Sequence, residues 1–150
     1  MPHLTRRALV LCLGTLPLAA CAGREPPEPV AQGGDAQVRA LVDQYATYYD
    51  VPRDLVHRVV KRESSYNPRA RNGPYYGLMQ IHPQTARTMG FRGAPSDLLD
   101  AETNLRYAVR YLRGAWLVSD GDRDEAVGWY SRGYYYEARD RGLLEATGLR

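Results

Sequence analysis

The chain has 150 residues, which fits one domain, and its 44% hydrophobic and 25% charged residues exclude wholesale disorder and fibrous repeats. Its formal net charge is +3, but Arg6 and Arg7 lie in a segment expected to be removed, which leaves 18 basic and 17 acidic side chains. Because recognition of nucleic acid needs a clustered basic surface, this near-balance predicts no nucleic-acid partner.

Residues 1–20 predict an export signal. A short basic leader precedes an apolar segment, residues 8–20, which is too short to span a membrane but has the length of a signal-peptide core. The segment ends in Leu-Ala-Ala-Cys21, which resembles the bacterial lipoprotein signal, where a small residue precedes a lipidated Cys. This resemblance implies a periplasmic protein with a lipid anchor on Cys21, and Ala22 after the Cys implies the outer membrane. The alternative is an ordinary secretory signal in which Cys21 is incidental.

The two cysteines predict no disulfide in the mature chain. Cys12 would leave with the signal, and Cys21 would carry the lipid. An exported domain without disulfides must be held by its hydrophobic core, and a chain of this size is large enough to have one.

The mature chain begins with a predicted tether, residues 21–35, which is rich in Pro and Gly and has almost nothing to bury. Residues 36–150 are assigned to one domain, in which helical periodicity starts at once. Apolar side chains on one face of the first helix are Val38, Leu41, Val42, Tyr45 and Tyr49. A second helix is predicted from Pro52 to about Ser64, where residues 66–68 break it.

The remaining pattern predicts a mainly α domain. Residues 66–83 are rich in Asn, Gly and Pro and predict an irregular loop. Further helices are predicted for residues 83–90, 101–118, 122–131 and 135–141. No stretch shows sustained alternation, so at most a small strand pair is expected, in the central loop.

Glu63 lies in the apolar stripe of the second helix. At about 100° per residue it falls between Val56, Val59 and Val60, whereas Arg62 falls on the opposite side. An ionised carboxylate is costly to bury, so its place needs a reason. One interpretation is that Glu63 reaches solvent or pairs with an Arg. The other is that the helix points it into a cleft with apolar walls, which would favour the protonated form that a general acid requires.

Three ordered segments show a family pattern. They are residues 55–68 (LVHRVVKRESSYNP), residues 77–86 (GLMQIHPQTA), and a third segment with Asp100, Asn104 and Tyr111-Leu112. Across about residues 51–133, these segments resemble the soluble lytic transglycosylases of glycoside hydrolase family 23, which are lysozyme-like helical domains related to goose-type lysozymes. The resemblance implies the same mainly α, lysozyme-like fold.

The resemblance also implies the site residues. Glu63 would be the single catalytic acid and base, with Ser64 beside the reacting sugar. Met79 and Gln80 would line the saccharide cleft, and Gly77 would allow close backbone approach. Tyr130 matches the tyrosine of the family's Ala-Tyr-Asn-Ala-Gly motif, which faces the catalytic Glu. The alternative for Met79 is a core position, whereas a buried amide such as Gln80 needs several hydrogen-bond partners.

The chain departs from the family in that last motif. Ser131 stands where the family has Asn, and a hydroxyl can replace only one end of an amide's hydrogen bonds. Tyr75 and Tyr76 precede Gly77 where the family usually has smaller residues. These departures bear on the saccharide register and on the rate.

Other chemistries find no support in the sequence. The mature chain has only two histidines, His57 and His82, without Cys partners or a His-Glu-x-x-His spacing, so no metal site is expected. No nucleophile elbow, phosphate loop or dinucleotide fingerprint occurs. No cofactor is expected.

The resemblance implies a lytic transglycosylase that cleaves the β-1,4 bond between MurNAc and GlcNAc in peptidoglycan strands and leaves 1,6-anhydro-MurNAc ends. Two alternatives remain. A lysozyme-type hydrolase would need a base for water, for which Asp97, Asp100 and Glu102 are candidates. A non-catalytic wall-binding lipoprotein is suggested by Ser131, although the presence of Glu63, Gln80 and Tyr130 together argues against it.

Overall fold

The computed structural model describes residues 35–149. The predicted signal, Cys21 and the tether up to residue 34 lie outside the described residues. Among residues 35–149, no helix combines the length and the apolar character needed to cross a bilayer.

The described part of the chain is mainly helical, as predicted. Its elements in chain order are α1 (Asp35–Tyr48), α2 (Arg53–Ser64), β1 (Arg71–Asn72), β2 (Tyr75–Tyr76), α3 (Pro83–Thr88), a 3-10 helix (Pro95–Leu99), α4 (Ala101–Val118), α5 (Arg123–Arg132) and α6 (Tyr135–Asp140). The strands pair antiparallel, with Arg71 opposite Tyr76 and Asn72 opposite Tyr75. The small strand pair expected in the central loop is therefore present.

Side-chain caps explain where several helices begin. The Asp100 carboxylate accepts a hydrogen bond of 2.8 Å from the Thr103 N–H at the start of α4. Asp122 accepts one of 2.8 Å from the Glu125 N–H at the start of α5. At the other end of α2, Ser65 takes a left-handed conformation with φ 50°, which stops the helix directly after Ser64.

Helix α4 lies at the centre of the core and packs against α1, α3, α5 and the 3-10 helix. Its fully buried apolar side chains, which form one stripe, are Leu105, Ala108, Val109, Leu112, Ala115 and Val118. Helix α2, which packs against α1 and α5, buries Leu55, Val56, Val59 and Val60. This packing fixes the position of α2 against the core and places its last turn at the surface.

Candidate active site

A cleft of about 610 Å³ opens between the last turn of α2, the strand pair with its following loop, and the end of α5. The residues that line it are Arg62, Glu63, Asn72, Tyr75, Gln80, Ile81, His82, Thr85, Tyr111, Tyr130, Ser131, Arg132 and Gly133. Glu63, Gln80 and Tyr130, predicted from separate segments, thus meet at one cleft. Ser64, Gly77 and Met79 are not among the lining residues.

Glu63 projects from the last turn of α2, and its side chain is 22% exposed. One carboxylate oxygen lies 3.1 Å from Nε of Arg62, so the wall beside it is a guanidinium rather than the apolar surface expected. Both interpretations of Glu63 therefore hold in part, since it faces a cleft and also pairs with an Arg. Glu63 is the only carboxylate among the described residues that line this cleft.

Arg62 connects Glu63 to the opposite wall. Its Nη2 donates a hydrogen bond of 2.7 Å to the Ser131 hydroxyl, which itself donates to the Val127 carbonyl at 3.0 Å. The helical projection put Arg62 on the side away from Glu63 and missed it as a cleft residue. Its long side chain bends back over the helix end, which a projection of Cα positions does not represent.

Tyr130 is buried at the base of the cleft. Its hydroxyl donates a hydrogen bond of 2.8 Å to the Met79 carbonyl. Burial, and then the nearby charge of Glu63, raise the pKa of Tyr130 well above its ordinary value, so the hydroxyl stays a donor. The Tyr111 ring packs edge-on against it at a centroid distance of 5.5 Å.

Gln80 uses its amide to shape the loop that carries it. Its Nε2 donates to the carbonyls of Ala70 at 3.1 Å and Gly77 at 2.9 Å. Its backbone is left-handed, with φ 47°. The amide nitrogen is thereby occupied by the protein itself, so Gln80 both lines the cleft and stabilises its wall.

Asn104 fixes the same loop from beneath, and its side chain is fully buried. Its Oδ1 accepts a hydrogen bond of 3.0 Å from the Met79 N–H. Its Nδ2 donates to the carbonyls of Tyr76 at 2.8 Å and Leu98 at 2.9 Å. The third motif of the sequence therefore holds the second motif in place, a role that the sequence analysis did not assign.

Gly77 permits this contact. A Cβ atom at Gly77 would overlap the Asn104 side chain and the Leu98 carbonyl oxygen, and its φ of 72° is left-handed. The expected close backbone approach is present, but its partner is the protein core.

Met79 and Ser64 also differ from the expected cleft positions. The Met79 side chain is fully buried in the core, which agrees with the alternative given for it. The Ser64 hydroxyl donates a hydrogen bond of 2.7 Å to the Leu78 carbonyl and thereby ties α2 to the loop. Met79 therefore contributes to the core, and Ser64 contributes to the contact between α2 and the loop.

The three carboxylates considered as an alternative base have structural partners instead. Asp97 accepts from the Ala94 N–H at 2.9 Å, and Asp100 caps α4. Glu102 pairs with Arg106 at 3.1 Å and accepts from the Tyr45 hydroxyl at 3.1 Å. None of the three is among the residues lining the cleft.

The histidines have local partners. His57 Nδ1 lies 2.8 Å from the Tyr66 hydroxyl, and its Nε2 lies 3.1 Å from Asp43. His82 accepts from the Gln84 N–H at 3.0 Å and caps α3. Within residues 35–149, no group of three or more His, Cys, Asp or Glu side chains is placed to hold a metal ion.

Comparison with known proteins adds independent findings. The family described as the transglycosylase SLT domain matches residues 40–142 of this chain. The soluble lytic murein transglycosylase of Escherichia coli K12 is 28% identical over 100 residues, and the protein of that name from strain O157:H7 matches equally. The alignment covers 62% of this chain but only 16% of either relative, so the chain spans a small part of their length.

A solved structure shows the same arrangement of helices. The crystal structure of the 70 kDa soluble lytic transglycosylase of Escherichia coli matches with a TM-score of 0.59 and 27% sequence identity. The match covers 72% of this chain and 18% of that one. The predicted lysozyme-like fold class is thereby confirmed.

Proposed function

Because this chain belongs to the family of transglycosylase SLT domains, we propose that it is a lytic transglycosylase acting on the glycan strands of peptidoglycan. The observation that carries the proposal is the single carboxylate of the cleft, Glu63. Most glycosidases use a pair of carboxylates, whereas substrate-assisted enzymes need only one. The family similarity and the cleft together favour the second kind of chemistry.

In the proposed first step, Glu63 donates its proton to the glycosidic oxygen between MurNAc and GlcNAc. The electrons of the breaking C1–O bond pass to that oxygen, and the 2-acetamido oxygen of MurNAc stabilises the charge left at C1. Glu63 must hold a proton to do this, so its pair with Arg62 has to open when a saccharide enters. Ser131, 2.7 Å from Arg62, offers the guanidinium another partner.

In the second step, the Glu63 carboxylate takes the proton of the 6-hydroxyl while O6 bonds to C1. This closes the 1,6-anhydro ring and restores the protonated acid without consuming water. No described residue supplies a second carboxylate to hold a water on the far face of the ring. The 6-hydroxyl belongs to the same sugar, and well-oriented intramolecular attack reaches effective molarities of about 10⁵ M or more.

The other predicted residues act around this step. Gln80 and Tyr130 would contact the saccharide from the cleft walls. Ser64, Gly77 and Met79 would act by holding the loop that carries Gln80, through the contacts with Leu78, Asn104 and Tyr130 described above.

Product analysis tests this function directly. Digestion of purified sacculi in oxygen-18 water should give fragments that end in 1,6-anhydro-MurNAc and carry no label at C1. Mass analysis distinguishes them from reducing ends, which are heavier by one water. Predominantly labelled reducing ends would identify a lysozyme-type hydrolase. Binding to sacculi without any cleavage would identify the wall-binding alternative.

A hydrolase is the second candidate, but Asp97, Asp100 and Glu102, its candidate bases, lie outside the cleft lining. The non-catalytic alternative was suggested by Ser131, whose hydroxyl here accepts from the Arg62 side chain. Neither alternative draws support from a specific contact.

We also propose that residues 1–20 are a signal, that Cys21 is lipidated, and that residues 21–35 tether a domain of residues 36–150 to the outer membrane on its periplasmic side. Expressed with its signal, the protein should partition with membranes, and Cys21→Ser should release it. Firm anchoring requires more than one acyl chain, as a lipoprotein N-terminus has. Membrane association that survives Cys21→Ser would contradict the anchor but not the proposed reaction.

A further inference from the structure

Arg132 and Trp129 form a stacked pair at the end of α5, beside the cleft. The guanidinium carbon of Arg132 lies 3.8 Å from the centre of the Trp129 ring, and Arg132 lines the cleft. In the family motif Ala-Tyr-Asn-Ala-Gly, both positions carry Ala. This chain therefore places a cation on an aromatic platform where the family has two methyl groups.

The surrounding helix accommodates the pair. Gly128 lies one turn before Arg132, and a Cβ atom there would collide with Nη1 of Arg132. Glycine at this position leaves room for the guanidinium in the place that it occupies here. The Trp129 Nε1 is buried without a hydrogen-bond partner among the described residues. Trp129 therefore interacts with Arg132 through the face of its ring and not through a hydrogen bond.

The charge of Arg132 is uncompensated. The other guanidinium of the cleft, on Arg62, is paired with Glu63 at 3.1 Å. Arg132 forms no ion pair within residues 35–149, and its side chain is exposed. A stacked guanidinium keeps its N–H edge free, and that edge matches the two oxygens of a carboxylate. A neutral sugar can accept hydrogen bonds from this edge but has no negative charge to match that of the guanidinium.

We propose that Arg132, held on Trp129, is a subsite for a carboxylate of the substrate strand. The proposal rests on the proposed function, because it takes peptidoglycan as the ligand. Two groups of peptidoglycan share this chemistry. The lactyl carboxylate of MurNAc is free in strands without peptides, and stem peptides carry carboxylates of their own.

The test measures binding in a Glu63→Gln background, so that no cleavage occurs. Three soluble probes are compared: strands with stem peptides, the same strands after an amidase has removed the peptides, and neutral chitohexaose. Arg132→Gln should lower the affinity for one of the acidic strands relative to chitohexaose by about 10-fold, the usual weight of a charge-assisted hydrogen bond. The salt dependence of binding that strand should also become shallower.

Arg139→Gln is the control for stacking and charge removal outside the cleft, because Arg139 also lies over an aromatic ring, that of Tyr136 at 5.1 Å, although it pairs with Asp140 at 2.7 Å. It should leave all three affinities unchanged. Arg132→Lys should recover part of the loss, since it restores the charge but not the planar fork.

The two acidic probes identify the source of the carboxylate. A loss confined to peptide-free strands assigns the lactyl group, and a loss confined to the other strands assigns the stem. Unchanged affinities, an equal loss for chitohexaose, or an equal loss in Arg139→Gln would overturn the subsite. Cleavage by the protein with Glu63 intact is scored separately, so failure of the proposed reaction remains distinguishable.

Discussion

Replacing Glu63 with Gln is expected to lower the rate of glycan cleavage by about 10³-fold or more, because general acid–base catalysis contributes about 10²–10⁴-fold. Glu63 is proposed to act twice, first giving a proton and then taking one. Gln keeps the shape of the side chain and can do neither. Release of 1,6-anhydro products from sacculi, followed by chromatography, measures the loss.

The same substitution should leave the fold in place. The Arg62–Glu63 pair is partly exposed, with 49% and 22% of the side chains accessible. Such pairs contribute about 0–1 kcal/mol, so the free energy of unfolding should change by no more than about 1 kcal/mol. A Glu63→Gln protein that is folded by circular dichroism and keeps most of its activity would contradict the catalytic role.

Asp124→Asn is the matched control for Glu63→Gln. Asp124 also pairs with an Arg of α2, Arg58, at 2.6 Å, but it is 82% exposed and lies outside the cleft lining. The Asp124→Asn variant should cleave glycan strands at the wild-type rate. An equal loss in both variants would mean that the effect is one of surface charge, not of proton transfer.

Replacing Asn104 with Ala is expected to lower the free energy of unfolding by about 3 kcal/mol or more, because each buried polar group left without a partner costs about 1–3 kcal/mol. The variant leaves the Met79 N–H and the Leu98 carbonyl without the partner that Asn104 supplies, whereas the Tyr76 carbonyl keeps its hydrogen bond from the Ile81 N–H at 3.1 Å. It also leaves a cavity in the core. Urea unfolding followed by circular dichroism measures the change.

Asn67→Ala provides the comparison, since Asn67 accepts a single exposed hydrogen bond of 3.0 Å from the Arg69 N–H. Surface changes of this kind usually alter stability by about 0.5 kcal/mol or less. If Asn104→Ala were no more destabilising than Asn67→Ala, the loop would be held by other contacts.

Most of the fold was predictable from the helical spacing of the apolar residues. The predicted helix of residues 101–118 has the observed bounds of α4, because its apolar stripe is long and regular and Asp100 caps it. The helix predicted for residues 83–90 ends earlier, at Thr88. The 3-10 helix Pro95–Leu99 was not predicted, since five residues are too few to show a period.

A cleft residue could be predicted from the sequence where its chemistry differs from that of its neighbours on the helix, and less easily elsewhere. Glu63 was identifiable because a carboxylate stood in an apolar stripe. Ser64, Gly77 and Met79 share a motif with cleft residues yet bind the interior, and a motif does not say which of its members face outward. Arg132 was not predicted to line the cleft, because its stacking on Trp129, three residues away on the same helix, follows no recognisable sequence pattern.

The loop that forms one wall of the cleft has an unusual set of acceptors. The carbonyls of four successive residues each accept a hydrogen bond from a side chain: Tyr76 from Asn104, Gly77 from Gln80, Leu78 from Ser64, and Met79 from Tyr130. Three of these donors come from α4, α2 and α5. The loop therefore owes its shape to three helices as well as to its own Gly77 and Gln80.

Because of these hydrogen bonds, the conformational entropy of the loop is lost when the protein folds, and not when a ligand binds. A ligand that enters the cleft meets this loop already ordered, and ordering costs are a main reason why large contact areas give weak affinity. Grafted onto another scaffold without Ser64, Asn104 and Tyr130, the segment Gly-Leu-Met-Gln would lose these constraints. A unit that keeps this loop in its present shape therefore has to include α2, α4 and α5.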